Sequence, residues 1–192
     1  MKPAASSLAL VATVGLLVSL AGCAKPKPPA HWISGGGRLD LVPARWEYDG
    51  DPVEIRPRGD YAEVLVDGDV EFIVDRVGRV YTRYQQPVAI LEPDGRLVGH
   101  EQELLGNVGS SYAAQPGKAN AWLALSPDGR VVKFEEGGGQ KPSSQWTGCS
   151  VTPFSLQACL LVTYLLYFED EGQRAPDLPP VPITPMGGMI VP

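Results

Sequence analysis

Serine and histidine side chains are the groups in this chain that could supply a nucleophile and its base. Ser111 lies in Gly109-Ser110-Ser111-Tyr112-Ala113, which has the spacing Gly-x-Ser-x-Gly of a nucleophile elbow with alanine in the last position. An elbow needs a strand-to-helix corner and a histidine base. The two histidines are His31 and His100, and strands and helices do not alternate around Ser111. The segment is therefore predicted to be a loop.

Paired carboxylates could provide the acid and base of glycoside hydrolysis. The pairs are Glu101 with Glu103 and Glu135 with Glu136. Neighbouring acids beside a turn are typical of a solvated surface, so these pairs are not predicted to be catalytic. Hydrolysis of an envelope polymer through carboxylates is the alternative function. Asp49-Gly50-Asp51 and Asp67-Gly68-Asp69 could donate oxygens to calcium, but neither has the longer acidic series with a distal glutamate. No catalytic residue, no metal site and no cofactor is predicted.

The four tryptophans have two interpretations. They are Trp32, Trp46, Trp122 and Trp146. Packing in a core or at its rim is the favoured interpretation. An aromatic side chain on a sheet face also serves binding modules that hold a sugar or a partner peptide.

The N-terminus has the organisation of a secretory signal, because Lys2 precedes an apolar run from Leu8 to Leu20. The run is too short to span the bilayer, which takes roughly 20 residues. It ends in Leu20-Ala21-Gly22-Cys23, which resembles the lipobox of bacterial lipoproteins. The resemblance implies cleavage before Cys23, a diacylglycerol on its thiol and attachment to a membrane. Ala24, where aspartate is absent, implies delivery to the outer membrane by the same resemblance.

Cys149 and Cys159 are the remaining cysteines. In an exported and oxidising setting they are predicted to form a disulfide. The alternative is a reactive or metal-binding thiol pair, which the absence of a nearby histidine and of Cys-x-x-Cys spacing disfavours. Closing so short a loop stabilises a fold by about 2–3 kcal/mol in the chain-entropy model.

Proline and glycine divide the chain into four parts. Residues 1–22 are the signal peptide, and 23–30 form a proline-rich tether of extended chain. Residues 31–172 are the candidate domain, β-rich with a C-terminal helix. Residues 173–192 form a tail in which six prolines predict no fixed structure of its own.

A repeat within the domain predicts its architecture. Pro-Asp-Gly-Arg-apolar-Val begins at Pro93 and again at Pro127, and the related unit Asp75–Val80 lies 17 residues before the first. The period is about 17, with a degenerate copy near Tyr112. Asp-Gly between β-branched runs is typical of a hairpin, so Gly95 and Gly129 are expected at positive φ. Residues 40–136 are thus predicted to form an antiparallel meander curled into a small barrel, sandwich or propeller-like array.

The repeated Asp-Gly-Arg-apolar core is similar to that of short secreted bacterial proteins built from strand-turn repeats, among them β-flower-type lipoproteins. The resemblance covers about 60 residues and implies architecture alone, without catalytic residues.

A C-terminal helix is predicted after Thr152-Pro153, which suit an N-cap and a first turn. Leu156, Leu160, Tyr164 and Phe168 follow at a spacing of four. The run from Cys159 to Phe168 is apolar on every side, so it fits either a helix buried against the sheet or a central strand. Helix is favoured, with its end near Gly172.

The charge of −6 and pI of about 4.9 offer no basic surface for nucleic acid. The sequence as a whole predicts a lipid-anchored protein of the bacterial cell envelope, with a structural or interaction module rather than an enzyme. Its expected partners are the membrane, through the lipid on Cys23, and an envelope protein or glycan.

Overall fold

The computed structural model describes residues 28–135 and 137–173, which form one antiparallel sheet and one helix. The sheet has twelve strands, and each strand pairs with the next one along the chain. The strands are β1 Ala44–Tyr48, β2 Asp51–Arg58, β3 Tyr61–Val66, β4 Asp69–Asp75, β5 Arg79–Thr82, β6 Pro87–Leu91, β7 Arg96–Gly99, β8 Leu104–Val108, β9 Tyr112–Ala114, β10 Leu123–Leu125, β11 Arg130–Phe134 and β12 Gln140–Gln145. The predicted mainly β meander with a C-terminal helix is confirmed.

The sheet curls until its first and last strands meet, which gives a nearly closed barrel. Arg45 of β1 and Thr147, just beyond β12, exchange two backbone hydrogen bonds of 2.9 and 2.8 Å. The indole Nε1 of Trp46 also donates to the carbonyl of Ser144, at 3.1 Å. The barrel is therefore closed by one backbone bridge together with side-chain hydrogen bonds.

Helix α1, Pro153–Gln173, lies inside this barrel. Every residue from 158 to 166 is buried, so about two and a half turns have no solvent-facing side. The helix contacts different walls: Tyr167 packs against Trp46 of β1 and Trp122 beside β10, and the Tyr164 hydroxyl donates to the carbonyl of Leu105 in β8, at 2.6 Å. An enclosed helix needs apolar residues on all its faces, which explains the unbroken apolar run.

The helix begins at the predicted residues. The Thr152 hydroxyl accepts from the N–H of Ser155 at 3.1 Å, and the Ser155 hydroxyl accepts from the N–H of Thr152 at 2.8 Å. These reciprocal bonds satisfy donors that a helix start leaves free, and Pro153 occupies the first helical position. The helix ends at Gln173, one residue beyond the predicted boundary.

The Gly-Arg units form hairpin turns, and a backbone hydrogen bond from each turn connects it to a later part of the sheet. Gly78, Gly95 and Gly129 have φ of +77°, +90° and +88°, so the expectation for Gly95 and Gly129 is confirmed. Each of these glycine carbonyls accepts a hydrogen bond from a later residue. The pairs are Gly78 with Leu91, Gly95 with Val108 and Gly129 with Trp146, at 2.8, 2.7 and 2.8 Å. In the degenerate copy, the carbonyl of Ser111 accepts from Leu125 at 2.8 Å instead.

The sheet extends beyond the predicted meander, which stopped at residue 136. Strand β12 pairs with β11 after a turn in which Gly137 and Gly138 have positive φ. Its sequence QKPSSQ is mostly exposed and has no apolar alternation. A strand that buries no apolar side chains leaves little trace in a hydropathy pattern.

The N-terminal segment closes one side of the fold. The N–H of Gly36 donates to Val77 at 2.8 Å and that of Gly37 to Leu91 at 2.6 Å. A Cβ on Gly36 would come within 2.1 Å of the Leu91 carbonyl oxygen, so this close approach requires glycine. Leu39 follows and is buried in the core.

The predicted signal peptide, Cys23, most of the tether and the tail lie outside the described residues. In residues 28–135 and 137–173, no helix has both the length and the hydrophobicity that crossing a bilayer takes.

Candidate functional site

A groove of about 680 Å³ lies on the outer face of strands β3, β4 and β5. Inward-facing Phe72, Val74 and Val80 are buried, which turns the alternate residues of β4 and β5 outward. The groove is lined by Asp60, Tyr61, Ile73, Asp75, Arg76, Val77, Arg79, Tyr81 and Gln85. The strand register places Tyr61 opposite Asp75 and Ile73 opposite Tyr81, so the repeat itself assembles this set.

Asp75 is the best-anchored side chain of the groove. One carboxylate oxygen accepts from the N–H of Val77 at 3.1 Å and from that of Arg79 at 2.9 Å. The other oxygen lies 3.5 Å from Nη1 of Arg79 and 3.4 Å from the Tyr81 hydroxyl. The carboxylate therefore closes the β4–β5 turn and orients two groove side chains at once.

Arg79 joins the groove to the N-terminal segment. Its Nη2 donates to the carbonyl of Ile33 at 3.4 Å, and its guanidinium carbon lies 5.9 Å from the centre of the Trp32 ring. Its Nε is buried and has no hydrogen-bond partner within the described part of the chain. The hydrogen-bonding capacity of the guanidinium is thus not saturated.

Aromatic rings and the aliphatic side chains of Ile73 and Val77 form the apolar part of the groove wall. Trp32 packs edge-to-face on Tyr81 with ring centres 4.9 Å apart, whereas Tyr61 is 40% exposed. Burial raises the pKa of the Tyr81 phenol, and the charge of Asp75 adds to this effect. Tyr81 therefore remains a protonated donor at neutral pH.

Formal charges in the groove balance. Asp60 and Asp75 oppose Arg76 and Arg79 among the lining residues. Arg76 is further used by the fold, since its Nε donates to the carbonyl of Gly59 at 3.1 Å. The groove therefore presents donors and acceptors side by side without attracting either sign of charge.

The cysteine pair lies away from the groove, at the start of the helix. Cys149 and Cys159 form a disulfide with Cα atoms 6.2 Å apart, and both residues are fully buried. The Ser155 hydroxyl donates to the carbonyl of Cys149 at 2.6 Å. This bridge ties the end of the sheet to the helix, which is a structural position.

The other sequence candidates do not converge. Ser111 is in the turn between β8 and β9, and the Glu101 side chain is 80% exposed in the turn between β7 and β8. Glu103 and Glu135 do not line the groove, and Glu136 lies outside the described residues. The two Asp-Gly-Asp segments form the β1–β2 and β3–β4 hairpins. Within residues 28–135 and 137–173, no group of three or more His, Cys, Asp or Glu side chains could hold a metal ion.

The tryptophans divide between core and groove. Trp46, Trp122 and Trp146 are buried around the helix, where Nε1 of Trp146 donates to the Thr163 hydroxyl at 2.9 Å. Trp32 is half-buried beside the groove. Sequence reasoning therefore recognised Trp32, beside the groove, as a possible binding aromatic but missed Asp75, Arg79 and Tyr81. No local signal indicates them, because Arg79 and Tyr81 meet Trp32 and Ile33 only through contacts between segments far apart in the chain.

Carboxylates also gather where the helix emerges from the barrel. Desolvation raises the pKa of Glu169 to about 7, and the charges of Glu71 and Asp170 add to the shift. Asp170 is in turn hydrogen-bonded by the Tyr48 hydroxyl. This cluster makes the helix end sensitive to pH.

Comparisons with known proteins give no relative for this fold or groove. No family model, no curated protein and no solved structure matches the chain.

Proposed function

We propose that this chain is a lipid-anchored protein of the bacterial cell envelope, held in the outer membrane by a diacylglycerol on Cys23. We further propose that its β-rich domain is an interaction module that binds an envelope partner through the groove between β3, β4, β5 and the N-terminal segment. The lipobox-like Leu20-Ala21-Gly22-Cys23 supports the anchor. The groove supports the module.

The observation that carries this proposal is the location of the groove on the outer face of the sheet. The barrel interior is filled by helix side chains such as Leu160, Leu161 and Tyr164, which are fully buried. A ligand is therefore expected on the outer surface, where the groove holds Asp75 and Arg79 in fixed positions. Preorganised polar groups beside aromatic rings are typical of a binding site.

The groove lies beside the first described residues of the chain. Residues 28–33 run from the end of the tether to the groove wall, where Ile33 and Trp32 contact Arg79. The groove would then face envelope components close to the membrane that holds the lipid.

Mass spectrometry of the mature N-terminus tests the proposal. Trypsin cleaves poorly before proline, so Lys25 and Lys27 are protected and the expected peptide runs from Cys23 to Arg38. Membrane-extracted protein should give this peptide with the added mass of a diacylglycerol. A peptide with a free Cys23 thiol, or with residues before Cys23 still attached, would overturn the anchor.

A further inference from the structure

We propose that the groove is a site for an uncharged saccharide chain, so that the envelope partner of this module is a glycan. This inference rests on the proposed function only for the location of the ligand. Its chemical class comes from the groove.

Strands β3, β4 and β5 are interior strands, each hydrogen-bonded to a neighbour on both sides. The groove floor therefore has no free sheet edge to which an extended peptide could add a strand. Recognition has to use side chains that project from the sheet face.

Tyr61 on β3 and Tyr81 on β5 are separated by two strand spacings and an offset of two residues along the strands, or about 12 Å. Tyr61 is 40% exposed, and Tyr81 is partly exposed beside Trp32, with its hydroxyl bonded to Asp75. A chain of rings with apolar faces and polar rims, such as an oligosaccharide, suits two such tyrosines.

Two aspartates and two arginines line the groove, so neither a polyanion nor an acidic peptide gains net attraction. Asp75 places a carboxylate in the groove wall, and the two Nη atoms of Arg79 carry further N–H groups beyond those bonded to Asp75 and Ile33. Sugar hydroxyls donate and accept together, so they match this mixture without a charge of their own.

The test measures binding to the full-length lipidated protein in a detergent without a sugar headgroup. The two probes are an uncharged oligosaccharide of N-acetylglucosamine and the peptides released from the cell wall of the source bacterium. The variants are Tyr61→Ala and Tyr81→Ala, with Tyr112→Ala on β9 as the matched control because its tyrosine is 64% exposed far along the sheet. Thermal melting confirms that each variant is folded.

The uncharged oligosaccharide should bind the wild-type protein, and each groove variant should bind it at least tenfold more weakly. Tyr112→Ala should bind as the wild type does. Binding of the peptides but not the glycan, binding of neither probe, or an equal loss in Tyr112→Ala would each overturn the saccharide site. A lipidated Cys23 peptide together with any of these results would retain the anchored module and reject only its glycan ligand.

Discussion

At the scale of single residues, Asp75 serves both the repeat and the groove. Its turn-closing bonds to backbone N–H groups recur at Asp94, whose carboxylate accepts from the N–H of Arg96 at 3.1 Å, a bond that lowers the pKa of Asp94. In the Asp75 turn, but not in the Asp94 turn, the second carboxylate oxygen also accepts a hydrogen bond from a tyrosine hydroxyl. The groove thus contains a turn of the repeat, with Tyr81 and Trp32 packed beside it.

The turn glycines give a prediction about backbone strain. Gly129→Ala should lower the free energy of unfolding by more than the roughly 1–2 kcal/mol expected for an alanine at positive φ. The added Cβ would lie 2.2 Å from the Trp146 carbonyl oxygen. Gly68→Ala is the matched control, since Gly68 has φ of +87° and nothing within 4 Å of its Cβ position. Urea denaturation of both variants measures the difference, and equal losses would refute the clamp between Gly129 and Trp146.

The carboxylate cluster gives a prediction about pH. Glu169 has its pKa raised to about 7 in the folded protein, so it keeps a proton that the unfolded chain releases above about 4.5. Its ionisation therefore makes the protein less stable as pH rises from about 4.5 to 7. Glu169→Gln stays neutral and should gain stability relative to the wild type across this window. Denaturation at several pH values measures it.

Glu71→Gln is the companion variant, because it removes a neighbouring charge without removing the titrating group. It should lower the pKa of Glu169 and reduce the loss of stability with pH, but not abolish it. A wild-type protein whose stability follows the same pH curve as Glu169→Gln would contradict the shifted pKa.

At the scale of elements, the sequence predicted what local patterns encode. Positive φ at Gly95 follows from Asp-Gly between two strands, and the helix start follows from Thr152-Pro153. The position of the helix inside the barrel does not follow, because an apolar run looks the same whether one sheet face or a whole barrel covers it. Strand β12 was missed for the opposite reason, since its side chains are exposed.

The junction between sheet and helix gives the element-scale prediction. Reduction of the Cys149–Cys159 disulfide should lower the free energy of unfolding by about 2–3 kcal/mol, because it restores freedom to the unfolded chain. The far-UV signal of the sheet should persist at 25 °C, since the twelve-strand pairing does not depend on the bridge. Denaturation with and without reductant measures this loss.

A double variant with Cys149→Ala and Cys159→Ala provides the control, because its stability should not respond to reductant. Alkylation of native protein provides the opposing result. If both cysteines react as free thiols without reduction, the pair is not a structural bridge.

At the scale of the whole molecule, the groove depends on contacts between segments far apart in the chain. Trp32 and Ile33 reach Arg79 and Tyr81 across more than forty residues. No local pattern records such a contact, so only the tryptophan was recognised as a possible binding residue. The same contacts place the residues that follow the predicted tether beside the groove.

Cell fractionation of Cys23→Ser against the wild type tests whether this molecule works from a membrane through its lipid. The wild-type protein should be processed and recovered with membranes, because the lipid is the proposed anchor. Cys23→Ser should move to the soluble fraction or remain unprocessed, while Ser111→Ala, a turn residue, should fractionate as the wild type does. Normal cleavage and unchanged membrane attachment of Cys23→Ser would contradict the lipid-anchored module.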